Sequence, residues 1–297
     1  MNRISETLVT MVKVTERCQK QTGVSHFICD YSPPKSGDAN DIRKIPGNAD
    51  FISVNSNPGL SVRANAVTVA AKIQSEQNCN AIYTITTRDM NRLALDSLIL
   101  GSSVLGLQNV IVVRGDDFPS SDAAPTPVND YMPTELISSI SGLNKGVDFR
   151  GMSLESCPDI CIGAVLDLSN GISNEADLAY RKISSGAEYF ITQPTFEVMQ
   201  AKLFCDAYKM MFGRDIEVPI FWGIQIPILS GVSFTQLPER VINDLNSGET
   251  PIDIALRVYQ EFSSSGLHNI YVVPTIEQGG HRDYGLAEEF MAVAKSH

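Results

Sequence analysis

No run of about 18 apolar residues occurs anywhere in the chain, so no membrane-spanning helix is expected. Basic residues are short against acidic ones, 23 Lys and Arg to 34 Asp and Glu. The resulting net charge of −11 argues against a nucleic-acid partner, which needs a basic face. Histidines number four and form no HxxxH pair, while the six cysteines form no CxxC pair. Cys157 and Cys161 stand four apart with no histidine near them in sequence, so no metal site is expected. Cys29 and Cys161 lie in apolar runs, as buried reduced thiols of a cytoplasmic protein would. The first residues, MNRISETLVTMVKVTERCQKQTG, lack the uninterrupted apolar stretch of a signal peptide and carry their charges at helical spacing. Internal repeats, low-complexity tracts and long charge runs are also missing.

What is present is an alternation. The short β-branched runs HFICDY, DFISVNS, NAIYTITT, NVIVVRG, DICIGAVLD, YFITQP, IFWGIQIP and NIYVVPT are separated by amphipathic stretches. The helical patterns fall at Leu60–Gln77, Met90–Leu105, Thr134–Leu143, Asn174–Ser185, Phe196–Phe212, Phe234–Leu245, Pro251–Ser264 and Gly285–Lys295. Asp89, Ser173 and Ser233 stand where N-caps are wanted. Strands apolar on both faces, each followed by a helix, imply a parallel sheet with helical crossovers. Eight such units predict a (β/α)8 TIM barrel with an N-terminal extra helix, one domain over residues 1–297. Residues 116–134, rich in Pro, Ser and Asp, form its least regular loop. Phe221, Trp222 and the Met210–Met211 pair read as core.

Barrels of this kind do their chemistry where the strands end. Polar residues at those ends are Asp30, Asn55, Thr86, Thr87, Arg114, Asp116, Asp167, Gln193, Gln225 and Glu277. They suggest a polar, anion-holding mouth, with no Ser-His-Asp order, metal triad or strand-end lysine among them. Asp30 draws notice first, because strand 1 stops on it and Pro33–Pro34 forbid its continuation. Capping a turn would also account for it.

Several of these ends resemble one family, the methylenetetrahydrofolate reductases. DYSPPK is similar to that family's acid followed by Pro-Pro, and ADFISVNSNPGLSVR (49–63) keeps DFISV, Gly59, Ser61 and Arg63. VVRGDD supplies Arg114, Gly115 and Asp116; RKISSGAEYFITQPTFE (181–197) and PIFWGIQIPI complete a collinear series. The resemblance implies reduction of 5,10-methylenetetrahydrofolate, or a related methylene-tetrahydropterin, to the 5-methyl form. FAD would be the cofactor, NADH or NADPH the hydride donor, and a homo-oligomer the assembly, with room for a partner subunit. Residue by residue, Asp30 would be the general acid, its pKa raised by an apolar pocket of Phe27, Ile28 and Tyr31. Asp116 would sit near flavin and pterin. Gln193, Phe234 and Gln225 would bind substrate, and Thr86, Arg114, Asp167, Arg181 and Lys182 would hold the flavin.

The chain also departs from the pattern. Asp30 replaces the usual Glu and draws the carboxyl back by about 1.5 Å, roughly one methylene, where general-acid distance is critical. TITT (84–87) replaces His-Leu-Thr-Cys, VLD (165–167) replaces Tyr-Pro-Glu, and NSN (55–57) replaces Thr-Tyr-Gly. After strand 8 the expected Arg is displaced into EQGGHRDYG, where Arg282 lies. Two alternatives therefore stand beside the flavin enzyme: a flavin-independent direct-hydride variant, and a non-reductase folate-binding or C1-transferring protein of a methyltransferase system. The Gly-Gly of EQGGHRDYG reads either as a backbone phosphate cradle aided by His281 and Arg282, or as a plain surface turn.

Overall fold

The computed structural model describes residues 11–20, 23–121 and 123–296. Eight parallel strands close into a barrel in chain order. They are β1 (Phe27–Tyr31), β2 (Phe51–Val54), β3 (Asn80–Thr86), β4 (Asn109–Val113), β5 (Cys161–Leu166), β6 (Tyr189–Pro194), β7 (Ile220–Gln225) and β8 (Ile270–Val273). Outside them run α2 (Ala66–Gln77), α3 (Arg92–Val104), α4 (Pro133–Asn144), α5 (Ile172–Ser185), α6 (Val198–Phe212), α7 (Glu239–Asn246), α8 (Pro251–Ser263) and α9 (Tyr284–Ser296). A short antiparallel pair, β9 (Thr275–Ile276) with β10 (Arg282–Asp283), follows β8. None of these helices is long and apolar enough to cross a membrane.

Side chains alternate across each strand, so one set fills the barrel and the other meets the helices. Ile28, Phe51, Ile82, Ile111, Cys161, Tyr189, Phe221 and Tyr271 form the inner cluster. Tyr189 crosses the interior to donate to the Val110 carbonyl at 3.0 Å. A Cβ on Gly163 would stand 2.3 Å from that ring, so β5 carries glycine there. Cys29 and Cys161 are buried and all six thiols are free. Phe221 and Trp222 are buried as expected, but Met210 is 84% exposed, on the outer face of α6, and Met211 is half-exposed.

Part of the expected N-terminal helix (residues 1–10, 21 and 22) lies outside the described residues; α1 (Val14–Lys20) is its described part. It closes the end of the barrel where the strands begin. Asn80 and Asn109, the first residues of β3 and β4, accept from the Val12 and Val14 amides, each at 2.9 Å. Arg17 pairs with Asp50 at 2.8 Å just before β2.

The helix starts differ from the expected ones. Asn65 and Asn91 cap α2 and α3, which delays both. Gly171 stands at the start of α5 and Pro238 at that of α7, in place of Ser173 and Ser233. Phe234 therefore sits on a loop rather than at a helix start.

Candidate active site

Strand alternation sends Asp30 into the barrel at its open end, in register with Ser53 of β2. Its carboxylate is fully buried. Oδ1 accepts from the Tyr271 hydroxyl at 2.8 Å and from the Asn55 amide, and Oδ2 from Arg282 Nε at 2.5 Å. Arg282, itself buried, loses hydration, yet the Asp30 charge holds its pKa above the ordinary value. Burial, then the Asp30 charge, push the Tyr271 phenol well above its usual range, so it stays a donor. The expected apolar surroundings of Asp30 are not there. Phe27 and Tyr31, three residues and one residue away, face the helices, Tyr31 stacking on Tyr284 at 5.1 Å; only Ile28 shares the inner face.

Above Asp30 opens a cleft of about 790 Å3. It brings together most of the residues expected from sequence: Asp30, Thr86, Arg114, Asp116, Asp167, Arg181, Lys182, Gln193 and Phe234 all line it. Gln225 does not. Its amide is spent inside the β7–α7 loop, donating to the Val232 carbonyl at 2.8 Å and accepting from the Phe234 amide at 2.9 Å. It positions Phe234, whose ring is 42% exposed, instead of touching a ligand.

Several lining groups are already committed. The Thr86 hydroxyl donates to Asp89 at 2.6 Å, and Asp167 caps a short turn by accepting from the Ser169 amide at 3.0 Å. Arg114 pairs with the exposed Asp117 at 3.1 Å, a solvated contact of little strength. Asp116 is exposed, and its backbone carbonyl accepts from Arg88. Arg88, which sequence reading passed over, is 5% exposed and bonds Asp89 while lying 4.2 Å over the Phe118 ring. Gly115, at φ +87°, lets the chain turn against it.

Lys182 differs from the other cations. Buried in the wall, its Nζ donates to the Val165 carbonyl at 2.5 Å. Burial first, with Arg181 adding and Glu175 opposing, pushes its pKa down to about 8. An ammonium so placed gains from any anion that enters. Arg181, paired with Asp177 at 2.9 Å, and Arg114 line the same cleft, so these three cations could meet an anionic group of a ligand.

The pairing of Asp30 with Tyr271 and Arg282 was not among the expectations from sequence. Tyr271 lies within the strand run NIYVV, and its alternation with Val273 places it on the inner face. Arg282 stood nine residues beyond β8 and returns only because β10 folds back along β9.

Closed parallel strands, outer helices and a polar cleft at the carboxyl ends of the strands define a (β/α)8 barrel with its binding site at the usual face. The model of the family "Methylenetetrahydrofolate reductase" matches residues 14–244, and the chain belongs to that family. The match ends before β8, so Tyr271 and Arg282 lie beyond it. Among solved structures, an uncharacterized protein from Clostridium thermocellum that binds two copies of 5-methyl-5,6,7,8-tetrahydrofolic acid is 17% identical. The alignment covers 95% of this chain and 98% of that one, with a TM-score of 0.60. An oxaloacetate acetylhydrolase in complex with 3,3-difluorooxalacetate is 10% identical over 87% of this chain and 78% of that one, with a TM-score of 0.51. At these identities both are likenesses of fold.

Proposed function

We propose that the cleft binds a tetrahydropterin of the folate class and that the chain reduces its methylene form to the methyl form. The observation that carries this reading is the buried carboxylate of Asp30 at the floor of a large cleft, with the Gln193 amide and Phe234 ring on its walls. Family membership supports the substrate class, and the methyltetrahydrofolate held by the Clostridium thermocellum barrel agrees with it. Phe234 offers a face on which a planar ring can stack. Gln193 offers a donor and an acceptor to a pterin edge. Asp30 would exchange a proton with the substrate nitrogen; to do so it must yield one of the donors now on it. Arg181, Lys182 and Arg114 would hold FAD by its phosphates. That cofactor, when bound, would carry hydride from NADH or NADPH to the substrate.

The test is direct. The visible absorption of freshly purified protein reports flavin, titration calorimetry with 5-methyltetrahydrofolate reports binding, and NAD(P)H oxidation with methylenetetrahydrofolate, with and without added FAD, reports turnover. Absence of both folate binding and turnover overturns the proposal. Turnover without flavin leaves the reduction standing and removes the cofactor.

A second reading is favoured by one feature: Asp30 accepts three hydrogen bonds and donates none. A barrel that binds a reduced folate without reducing it, for a C1-transfer partner, needs an acceptor there and no proton donor. Tight folate binding with no turnover from any hydride donor would select it.

A further inference from the structure

Behind the Asp30–Arg282 pair, on the side away from the cleft, lies a second cavity of about 400 Å3. One wall is the segment that follows β1, Ser32–Ser36; the opposite wall is the turn between β9 and β10, with Gly279 and Gly280. In a chain of net charge −11 this lining is basic, with Lys35, Arg43, Arg63 and Arg282 against one carboxylate, the exposed Asp41. Asp30 answers Arg282. Three cations remain to face one acid.

These cations are held together rather than merely adjacent. Arg63 Nη1 donates to the Pro33 carbonyl at 2.8 Å, and Arg43 Nη1 to the Arg282 carbonyl at 3.3 Å. Burial, and then the charges of Arg282 and Arg43, lower the Arg63 pKa from its ordinary value. Two buried polar atoms here have no partner among the described residues, Arg63 Nε and Ser32 Oγ. An unpaired buried donor is costly unless something fills it. Gly280, at φ +84°, completes the wall; a Cβ there would lie 3.5 Å from Arg63 Nη2. The bare-backbone turn thus comes up against the guanidinium and leaves the space in front of it open.

The geometry points to a binding site for a small molecule bearing a compact dianionic group, a phosphoryl or a pair of carboxylates, held by Arg63, Arg43 and Lys35 with the Ser32 hydroxyl. Planar guanidinium forks match both groups in bidentate fashion, and the lysine adds a point charge. The volume admits a small organic molecule rather than an ion alone. The site is separate from the folate cleft. It shares only the Asp30–Arg282 wall with it, and it stands whether or not folate binds there.

Titration calorimetry of the full chain at low ionic strength tests it, with inorganic phosphate in one arm and glutarate in the other. One site per chain should saturate in at least one arm, and the arm that does assigns the group. Arg63→Gln should weaken that binding about tenfold or more, the loss expected for one charge-assisted contact. Because Arg63 also holds the Pro33 carbonyl, the exposed pair Lys35→Gln with Arg43→Gln provides the same test while leaving that bond in place. Melting curves establish that each variant is folded. Binding in neither arm overturns the assignment. So does binding that survives both sets of substitutions, which would place the anion on the Arg181–Lys182 wall instead.

Discussion

The two ends of this barrel are built on opposite terms. Where the strands begin, α1 is drawn across the opening, and the side-chain amides of Asn80 and Asn109 hold the backbone of Val12 and Val14 at its start. Where they end, groups are left over. Six buried side-chain polar atoms lack partners among the described residues, and only Arg17 Nε belongs to the closed end. The other five, on Ser32, Ser53, Arg63, Thr87 and Thr235, stand at or near the mouth. A closed end with its donors matched contributes stability, and a mouth with spare donors sacrifices some for binding. Changes at the mouth should therefore move ligand or pH behaviour, and changes at the closed end should move stability alone.

The largest expected effect is at Asp30, whose buried carboxylate already holds three donors. Asp30→Asn should cut methylenetetrahydrofolate reduction by about 100-fold or more, the usual contribution of a positioned proton donor. Nicotinamide-driven bleaching of any bound flavin should survive. Equal loss of both would remove the proton role. The same change strands Arg282, at 3% exposure, without its counter-charge, which should cost roughly 3–5 kcal/mol in urea denaturation. Pairing it with Arg282→Gln should recover a large part of that stability and none of the activity. If the double variant were no more stable than the single one, the ion pair would not be what holds this wall.

Much of this architecture is legible in the amino-acid sequence, for physical reasons that differ by residue. Strands buried on both faces spell near-continuous apolar runs, so β1 to β8 stood out, and the strand-end rule then gathered Asp30, Thr86, Arg114, Asp116, Asp167 and Gln193 to one mouth. The rule failed where a polar side chain serves its own loop. Gln225 looks the same in sequence whether its amide meets a ligand or Val232 and Phe234. It failed again for long-range pairing, since nothing local in IYVVP or GGHRDY says that Tyr271 and Arg282 converge on a carboxylate some 240 residues earlier. The surroundings of Asp30 were misjudged because sequence neighbours on a strand point to opposite faces.

Next in size is Lys182. Its ammonium titrates at about 8 in the fold against an ordinary 10.5, so between those values the unfolded chain binds more protons. Stability must then rise with pH across that window; below about 8 the whole penalty is present, on the order of 3 kcal/mol. Lys182→Met removes it. Denaturation of both proteins from about pH 7 to about pH 10 should show the difference shifting toward wild type as pH rises. A flat difference would mean that the lysine is better hydrated than its burial implies.

At the closed end, Asn109→Ala removes the acceptor of the Val14 amide at 2.9 Å and the donor to the Val12 carbonyl at 3.1 Å, both at the start of α1. The expected cost is about 1–3 kcal/mol, because the Val14 amide is buried and left without its acceptor. Folate affinity and any turnover per folded molecule should not change. Altered affinity in this variant would break the division of labour between the two ends, since it would couple α1 to the mouth through the barrel core.

The smallest stability effect is expected where the functional effect should be clear. Phe234 is 42% exposed on a loop whose backbone is fixed by Gln225, not by the ring. Truncating it to alanine removes little buried surface, so the melt should move by no more than about 0.5 kcal/mol. If the ring stacks on the ligand, folate binding should weaken by roughly five- to tenfold, the worth of one aromatic contact. Gln225→Ala separates position from contact. It leaves the ring in place chemically but frees the loop, so affinity should fall by a similar factor while Phe234→Ala/Gln225→Ala falls little further. Additive losses would instead mean that Gln225 reaches the ligand itself, as its place at a strand end first suggested.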